Sequence, residues 1–415
     1  MNGQGTQTIA AEAGYEVVAE PSVTSPSGFV AGGVHAGLKK KRRDLGMIFC
    51  EVPASAAAVY TMNAFQAAPL KVTRDSLAAE GKLQAVVVNS GNANACTGQR
   101  GLEDALKTRR EAAKLLGIPE HRVAVASTGV IGEFLPMDRM MEGLARLVKE
   151  VGKGGHLPFS ESILTTDTCT KEAEVVLRVE GRPVRIAGAA KGSGMIHPQM
   201  ATMLAFLTTD AVIDSRHLQH LLREVTDETF NMITVDGDCS TNDMVLAMAS
   251  GRAGHSPLHP DHPEWAAFKA GFAHVARELA KMIARDGEGA TRLVEVKVTG
   301  AASQAMARRV AKGVVGSNLV KSAVYGADAN WGRVFCAIGY SDPDVKTEAV
   351  DLYIGDIPVV RESRPVSFNE EQVQAHMKEE RVQFRIDLHQ GIHEAVAWGC
   401  DLTYEYVRIN ACYRT

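Results

Sequence analysis

Apolar and polar positions along the chain mark out interleaved strands and helices. From Gln84, QAVVVNS is an apolar run that reads as a buried strand and ends in the polar turn Asn89-Ser90-Gly91-Asn92. The next segment, Glu103 to Leu116, sets Leu106, Ala113 and Leu116 on helical spacing and stops at Gly117-Ile118-Pro119. RVAVAST, from Arg122, is a second strand that runs straight into Gly129. Glu174 to Gly188 reads as a hairpin turning at Glu180-Gly181.

The second half repeats the alternation. A helix capped by Asp214 or Ser215 carries Leu218, Leu221, Leu222 and Val225 on one face. A longer amphipathic helix carries Trp265, Phe268, Phe272, Val275, Leu279 and Met282. Strands are expected at Leu293–Thr299, at Val350–Val360 with a Gly355-Asp356 turn, and at Val382–Leu388. No fixed-period repeat and no low-complexity linker interrupts the pattern. The fold class is therefore mixed α/β, with helices covering sheets.

Composition narrows the function. The 415 residues suffice for two or three domains, and 45% hydrophobic with 23% charged residues is an ordinary globular balance. A net charge of −4 gives no sign of general nucleic-acid affinity. The seven cysteines are scattered, with no CxxC pair, so neither a disulfide framework nor a zinc cluster is expected, and a reducing cytoplasm is the simplest setting. No apolar run approaches the ~18–20 residues of a membrane span, and no secretory signal opens the chain.

One stretch does not fit a purely structural pattern. Lys191 to Asp210, KGSGMIHPQMATMLAFLTTD, follows a strand and mixes glycine, hydroxyl and methionine residues. The phosphate-loop order GxxxxGK[ST] is absent, because Lys191 precedes the glycines. A glycine-rich turn entering a buried element explains the pattern. Thr202 offers a second reading. If the Ala201–Thr202 bond is cut, the new α-amine, with an unperturbed pKa of ~7.7–8.0, can act as base for its own hydroxyl. Two further glycine–hydroxyl segments stand out, Ser127 to Glu133 after a strand and Asp286 to Thr291 after the long helix. The first can be a plain turn or an oxyanion site. In the second, Gly287 or Gly289 can end the helix, or Glu288 can receive an ammonium group.

At these residues the chain resembles the ornithine acetyltransferase family of arginine biosynthesis, also called the bifunctional glutamate N-acetyltransferase family. The carriers are VVVNSGNANACTG from Val86, STGVIGE from Ser127, LTTDT from Leu164 and KGSGMIHPQMATMLAFLTTDA from Lys191. TVDGDCSTND from Thr234, DGEGATR from Asp286, GADANWGR from Gly326 and NACYRT from Asn410 follow in family order. The resemblance covers essentially the whole chain.

It implies a precursor that cleaves itself between Ala201 and Thr202, leaving an α chain, 1–201, and a β chain, 202–415. It implies Thr202 as the acyl-accepting nucleophile and Thr128 with Gly129 as the oxyanion pair. Thr165, Lys191, Thr202, Glu288, Asn410 and Thr415 match the substrate-holding positions, with Thr166 an alternative to Thr165. The implied fold, α/β of the α+β type with layered sheets flanked by helices, is the family's own, similar to the N-terminal-nucleophile hydrolases in logic but not in connectivity. The implied reaction passes acetyl from N2-acetylornithine to glutamate without a cofactor or metal. Some members also accept acetyl-CoA as a substrate, and the residues do not say whether this chain does. The implied assembly is an α2β2 heterotetramer acting on small molecules, with no nucleic-acid or membrane partner.

Other residues read as structural. His197 in MIHPQM is a satisfied histidine by default. The HxxxHE order of His389, His393 and Glu394 lacks the HExxH metal arrangement. The basic run Lys39 to Arg43 reads as a solvated face or turn. Two rival functions are a self-processing amidase or aminopeptidase that passes the acyl group to water, and a non-enzymatic binding protein.

Overall fold

The computed structural model describes residues 14–197 and 203–412, which form two units. The first comprises residues 14–192, 203–227 and 239–279. The second comprises 193–197, 228–238 and 280–412. The division does not follow the proposed cut, since residues beyond 202 belong to both units.

The first unit is built on a nine-stranded sheet. Its strands are β1 (Tyr15–Val17), β2 (Phe29–Val34), β3 (Leu45–Tyr60), β4 (Lys82–Asn92) and β5 (Val123–Val130). They continue with β6 (Lys171–Val179), β7 (Arg182–Lys191), β8 (Leu204–Thr209) and β9 (Met244–Ala249). The order is β1-β6-β7-β8-β9-β3-β4-β5, with β2 also on β3. Its helices are α1 (Ala68–Glu80), α2 (Gly98–Leu116), α3 (Met137–Glu150), α4 (Leu157–Ser162) and α5 (Ser215–Glu228). The long helix α6 (Trp265–Arg285) lies mostly in this unit and runs on into the second.

The apolar runs of β4 and β5 have a physical reason. Their odd positions Ala85, Val87, Val123 and Val125 pack with Val72 of α1, Ala112 of α2 and Leu144 of α3. Their even positions Val86, Val88, Ala124 and Ala126 pack with Phe159 and Ile163 near α4 and with Phe206 and Leu246 of the sheet. A strand covered on both faces has no polar alternation to display, so it reads as a continuous apolar stretch. The hairpin falls where the sequence places it, with Glu180 and Gly181 at positive φ between β6 and β7. Asp214 supplies the cap of α5, accepting the amide of His217 at 2.8 Å.

The second unit holds a six-stranded sheet of β10 (Leu293–Ala301), β11 (Asp351–Ile354), β12 (Ile357–Arg361), β13 (Arg364–Pro365), β14 (Arg381–Asp387) and β15 (His393–Cys400). The order is β13-β12-β11-β14-β10-β15. Helices α7 (Gln304–Gly316), α8 (Asn318–Tyr325), α9 (Trp331–Ser341), α10 (Glu370–Met377) and α11 (Tyr404–Ala411) complete it. Helix α7 packs Ala307, Val310, Ala311 and Val314 over β10 and β15, where Val294, Val296 and Val298 are fully buried. Sheets flanked by helices are thus the architecture expected from the alternation. No helix among the described residues is long and apolar enough to cross a membrane.

Candidate active site

In the first unit the site segments meet at the ends of β4, β5 and β7. Strands β4 and β5 run parallel, and their ends set Ser90 beside Thr128 and Gly91 beside Gly129. Gly129 has φ +134°, and a Cβ on it would stand 2.3 Å from the Gly91 carbonyl carbon. Only glycine allows the two strand ends to come this close. Asn242 clamps the corner by donating to the carbonyls of Ser127 at 2.8 Å and Ala93 at 2.6 Å.

Lys191 ends β7 and is 7% exposed. Its ammonium donates to Thr165 Oγ1 at 2.7 Å and reaches Thr128 Oγ1 at 3.4 Å. Thr165, rather than Thr166, is the threonine that meets it. The backbone placement of Lys191 comes from β7 pairing with β8, in which Lys191 is the register partner of Leu204.

Asp167 organises this corner and was given no role from the sequence. It accepts Lys171 Nζ at 2.8 Å, the Gly192 amide at 2.6 Å and the Thr165 amide at 2.9 Å. Lys191 lies 3.8 Å from Oδ2, the oxygen that accepts the Thr165 amide, while Lys171 and the Gly192 amide meet Oδ1. Burial works to raise the Asp167 carboxyl, but the Lys191 and Lys171 ammoniums and these hydrogen bonds hold it well below the usual carboxylate range. One carboxylate therefore faces two buried ammoniums. The Lys191 ammonium, beside two threonine hydroxyls, suits a carboxylate ligand.

The basic run is the solvated turn expected of it except at its first residue. Lys40 to Arg43 are exposed, but Lys39 is partly buried and donates to the Leu164 carbonyl at 2.9 Å. Burial, reinforced by Arg42 and Lys191 against Asp44, lowers its ammonium to about 8. Its side chain lies against Gly91, where a Cβ would stand 2.9 Å from Lys39 Cγ. The first residue of the run thus belongs to the Lys191 corner.

The second unit carries the acidic group. Glu288 follows α6 and is 7% exposed. Its amide donates to the Ser193 carbonyl at 2.9 Å, and its Oε2 accepts Asn410 Nδ2 at 2.7 Å. A Cβ on Gly194 would stand 2.4 Å from the Glu288 carboxyl carbon, so glycine at 194 leaves the room that the carboxylate fills. Gly289, at φ +71°, is the residue of the pair that takes the left-handed conformation after α6. Burial and the carboxylates of Asp236, Glu288 and Asp238 push the Tyr406 phenol up, so Tyr406 stays a protonated donor. Asp236 and Tyr406 join this cluster without having been singled out in the sequence. Asp236 secures the glycine-rich segment by accepting the amides of Met195 at 2.6 Å and Ile196 at 2.8 Å. A carboxylate so placed can receive a ligand's ammonium group.

The remaining candidates sort as follows. Ala201, Thr202 and Thr415 lie outside the described residues, and β8 begins two residues after Thr202. His197 Nδ1 lies 3.0 Å from Thr234 Oγ1. Burial and the Lys312 ammonium lower its imidazole to about 4, which makes it a neutral structural group at pH 7. His389 sits 3.3 Å from the Asp351 carboxylate. No group of three His, Cys, Asp or Glu among the described residues is placed to hold a metal ion.

This arrangement occurs in a chain with close relatives. The model of the ArgJ family matches residues 30–415. The arginine biosynthesis bifunctional protein ArgJ of Halalkalibacterium halodurans is 59% identical over 395 residues, covering 95% of this chain and 96% of that protein. The crystal structure of the protein of the same name from Bacillus halodurans matches with 56% identity and a TM-score of 0.50. That match covers 51% of this chain and 99% of the solved one. The ornithine acetyltransferase of Mycobacterium tuberculosis, solved in complex with ornithine, matches at 39% identity over 45% of this chain and 100% of that one, with a TM-score of 0.42. With a family model spanning nearly its full length and a relative of such identity, the chain belongs to the ArgJ family.

Proposed function

We propose that this ArgJ-family enzyme transfers the acetyl group of N2-acetylornithine to glutamate through an acetyl-Thr202 ester, releasing ornithine and N-acetylglutamate. The Lys191 corner carries the reading. An ammonium, two threonine hydroxyls and a glycine strand end converge on the register partner of Leu204, two residues after Thr202.

The roles follow from the charges. Lys191 takes the α-carboxylate of the substrate, and Thr165 shares in fixing that ammonium. Glu288, with Asn410 on its carboxylate, takes the side-chain ammonium of the ornithine moiety. Thr415 is the further substrate contact that the family motif supplies. Thr202 Oγ attacks the acetyl carbonyl, its α-amine accepts the proton, and the Thr128 and Gly129 donors stabilise the oxyanion. Ornithine leaves with the proton, glutamate enters, and its amine attacks the ester in the second half of a ping-pong cycle. The acceptor competes with water, so the acetyl ester has to be shielded from solvent. No bound cofactor enters this scheme.

The nucleophile requires a free α-amine at Thr202, and hence self-cleavage after Ala201. The cut leaves chains of 201 and 415 − 201 = 214 residues. In support, the solved relative's whole chain corresponds to 51% of this one, the share that a 214-residue piece represents. We further propose that acetyl-CoA serves as a second acetyl donor, as the bifunctional name of the relatives suggests, and that the halves assemble as α2β2 in the cytoplasm.

Thr202→Ala tests the core of the reading. The variant is expected to remain a single 44.5 kDa chain with no acetyl exchange, read by denaturing gel and by ornithine release. Two bands or retained exchange would refute it. Parallel assays with N-acetylornithine or acetyl-CoA as donor, and glutamate or water as acceptor, decide the donor range and exclude an amidase.

A further inference from the structure

Lys39 places an ammonium where a neutral donor would serve. It stands in the loop between β2 and β3, and that loop is folded around the fully buried carboxylate of Asp44. Asp44 accepts the amides of Ala36, Gly37, Leu38 and Lys39 itself, the last two at 2.7 and 2.9 Å. Its own carbonyl takes the Ser90 amide at 2.8 Å, beside Gly91. The backbone of Lys39 is therefore fixed to the strand end that carries the glycine corner.

Its side chain lies against Gly91 and ends at the Leu164 carbonyl, one residue from Thr165. That carbonyl is the ammonium's one hydrogen-bond partner among the described residues. The carboxylates that act on it are committed elsewhere. Asp44 serves its four amides, and Asp167 serves Lys171 and the amides of Thr165 and Gly192. Arg42 and Lys191 add like charge. A partly buried ammonium with a carbonyl and two cations around it is poorly compensated. Anchoring the loop needs only a neutral donor, so the charge calls for an anion that the fold does not supply.

Lys191 and Lys39 hold neighbouring residues of one backbone, Thr165 by its hydroxyl and Leu164 by its carbonyl. Two ammoniums so placed can meet two carboxylates joined by a short chain. The proposed acceptor, glutamate, has that form. The ornithine moiety has one carboxylate and an ammonium instead.

We propose that Lys39 selects the acceptor, pairing with the side-chain carboxylate of glutamate while Lys191 holds its α-carboxylate. This inference rests on the reading of glutamate as acceptor given above. Lys39 makes no bond to a reacting atom. It determines which amine is held before the acetyl ester. The ornithine moiety brings no second anion, so the donor half of the cycle does not call on it.

The test compares glutamate with glutamine as acceptor, which differ in that one carboxylate. With N-acetylornithine as donor, wild type is expected to favour glutamate in kcat/KM. Lys39→Gln should narrow that preference ~10–150-fold, the range of one charge-assisted hydrogen bond, while the donor's KM changes far less than glutamate's. Lys39→Arg, which keeps the charge, should retain most of the preference. A Lys39→Gln enzyme with the wild-type ratio would overturn the proposal and leave the transfer reading intact. A wild type that passes no acetyl to glutamate would overturn both. If Lys39→Gln does not fold, the wild type decides, through acylation of Lys39 by an amine-reactive ester followed by peptide mass spectrometry. Protection by glutamate but not by glutamine supports the pairing, and equal protection overturns it.

Discussion

The two units hold opposite charges in different ways. In the first, the cationic group Lys191 ends a strand in the body of a nine-stranded sheet and is fastened by Thr165, Thr128 and the buried Asp167. In the second, the anionic group Glu288 follows the end of a helix and leans on Asn410, an exposed residue of the short terminal helix α11. The first arrangement is preorganised by strand pairing and carries a large internal electrostatic load. The second depends on loop glycines and one side-chain bond. The first therefore couples the site to folding, and the second leaves it adjustable at little structural cost.

The largest expected effect breaks the first arrangement. Asp167→Asn would take the Asp167 carboxylate away from the fully buried Lys171 and from Lys191. Breaking a buried pair in this way typically costs ~3–5 kcal/mol, and a fall in the thermal midpoint checks it. The pH dependence has a definite sign. The folded Asp167 carboxyl lies below its unfolded value of ~3.9, so its contribution is present above that pH and fades as pH falls below it. Acid titration of stability should show a loss below about pH 4 in the wild type, reduced in the variant. An unchanged acid profile would mean that Asp167 does not carry this load.

Substitutions in the second unit should act on substrate instead. Glu288→Gln removes the charge that faces the donor's ammonium. A charge-assisted hydrogen bond is worth ~1.5–3 kcal/mol, so KM for N-acetylornithine should rise ~10–150-fold. Glutamate brings no side-chain ammonium, so its KM should rise less. Equal losses for both substrates would place Glu288 elsewhere in the cycle. The smallest effect is expected for Asn410→Ala, which removes one neutral donor from Glu288. About 0.5–1.5 kcal/mol corresponds to a ~2–10-fold rise in the donor's KM, with no change in thermal midpoint.

Local chemistry was legible wherever it is written locally. Gly129 and Glu288 stood out within their glycine-rich segments, while the role of Lys191 came with the family resemblance. Asp167 and Asp243 lay inside quoted motifs, yet neither drew a role. Their partners are supplied by pairing, since Lys191 reaches Asp167 only after the β6–β7 hairpin has formed. Lys39 misled because a run of like charges normally faces water, while its first residue is drawn inward by the Leu164 carbonyl.

The sequence by itself determined the alternation of strands and helices, the mixed α/β class and the segments from which a site is assembled. These depend on side-chain periodicity and on backbone freedom, which each residue carries wherever it lies. Only the tertiary structure decided that one carboxylate serves two lysines, that Thr165 and not Thr166 meets Lys191, and that Asp243 is buried with Oδ2 unpartnered among the described residues. Those facts depend on which strand ends become neighbours. Register and burial set charge balance, and neither is encoded at a single position.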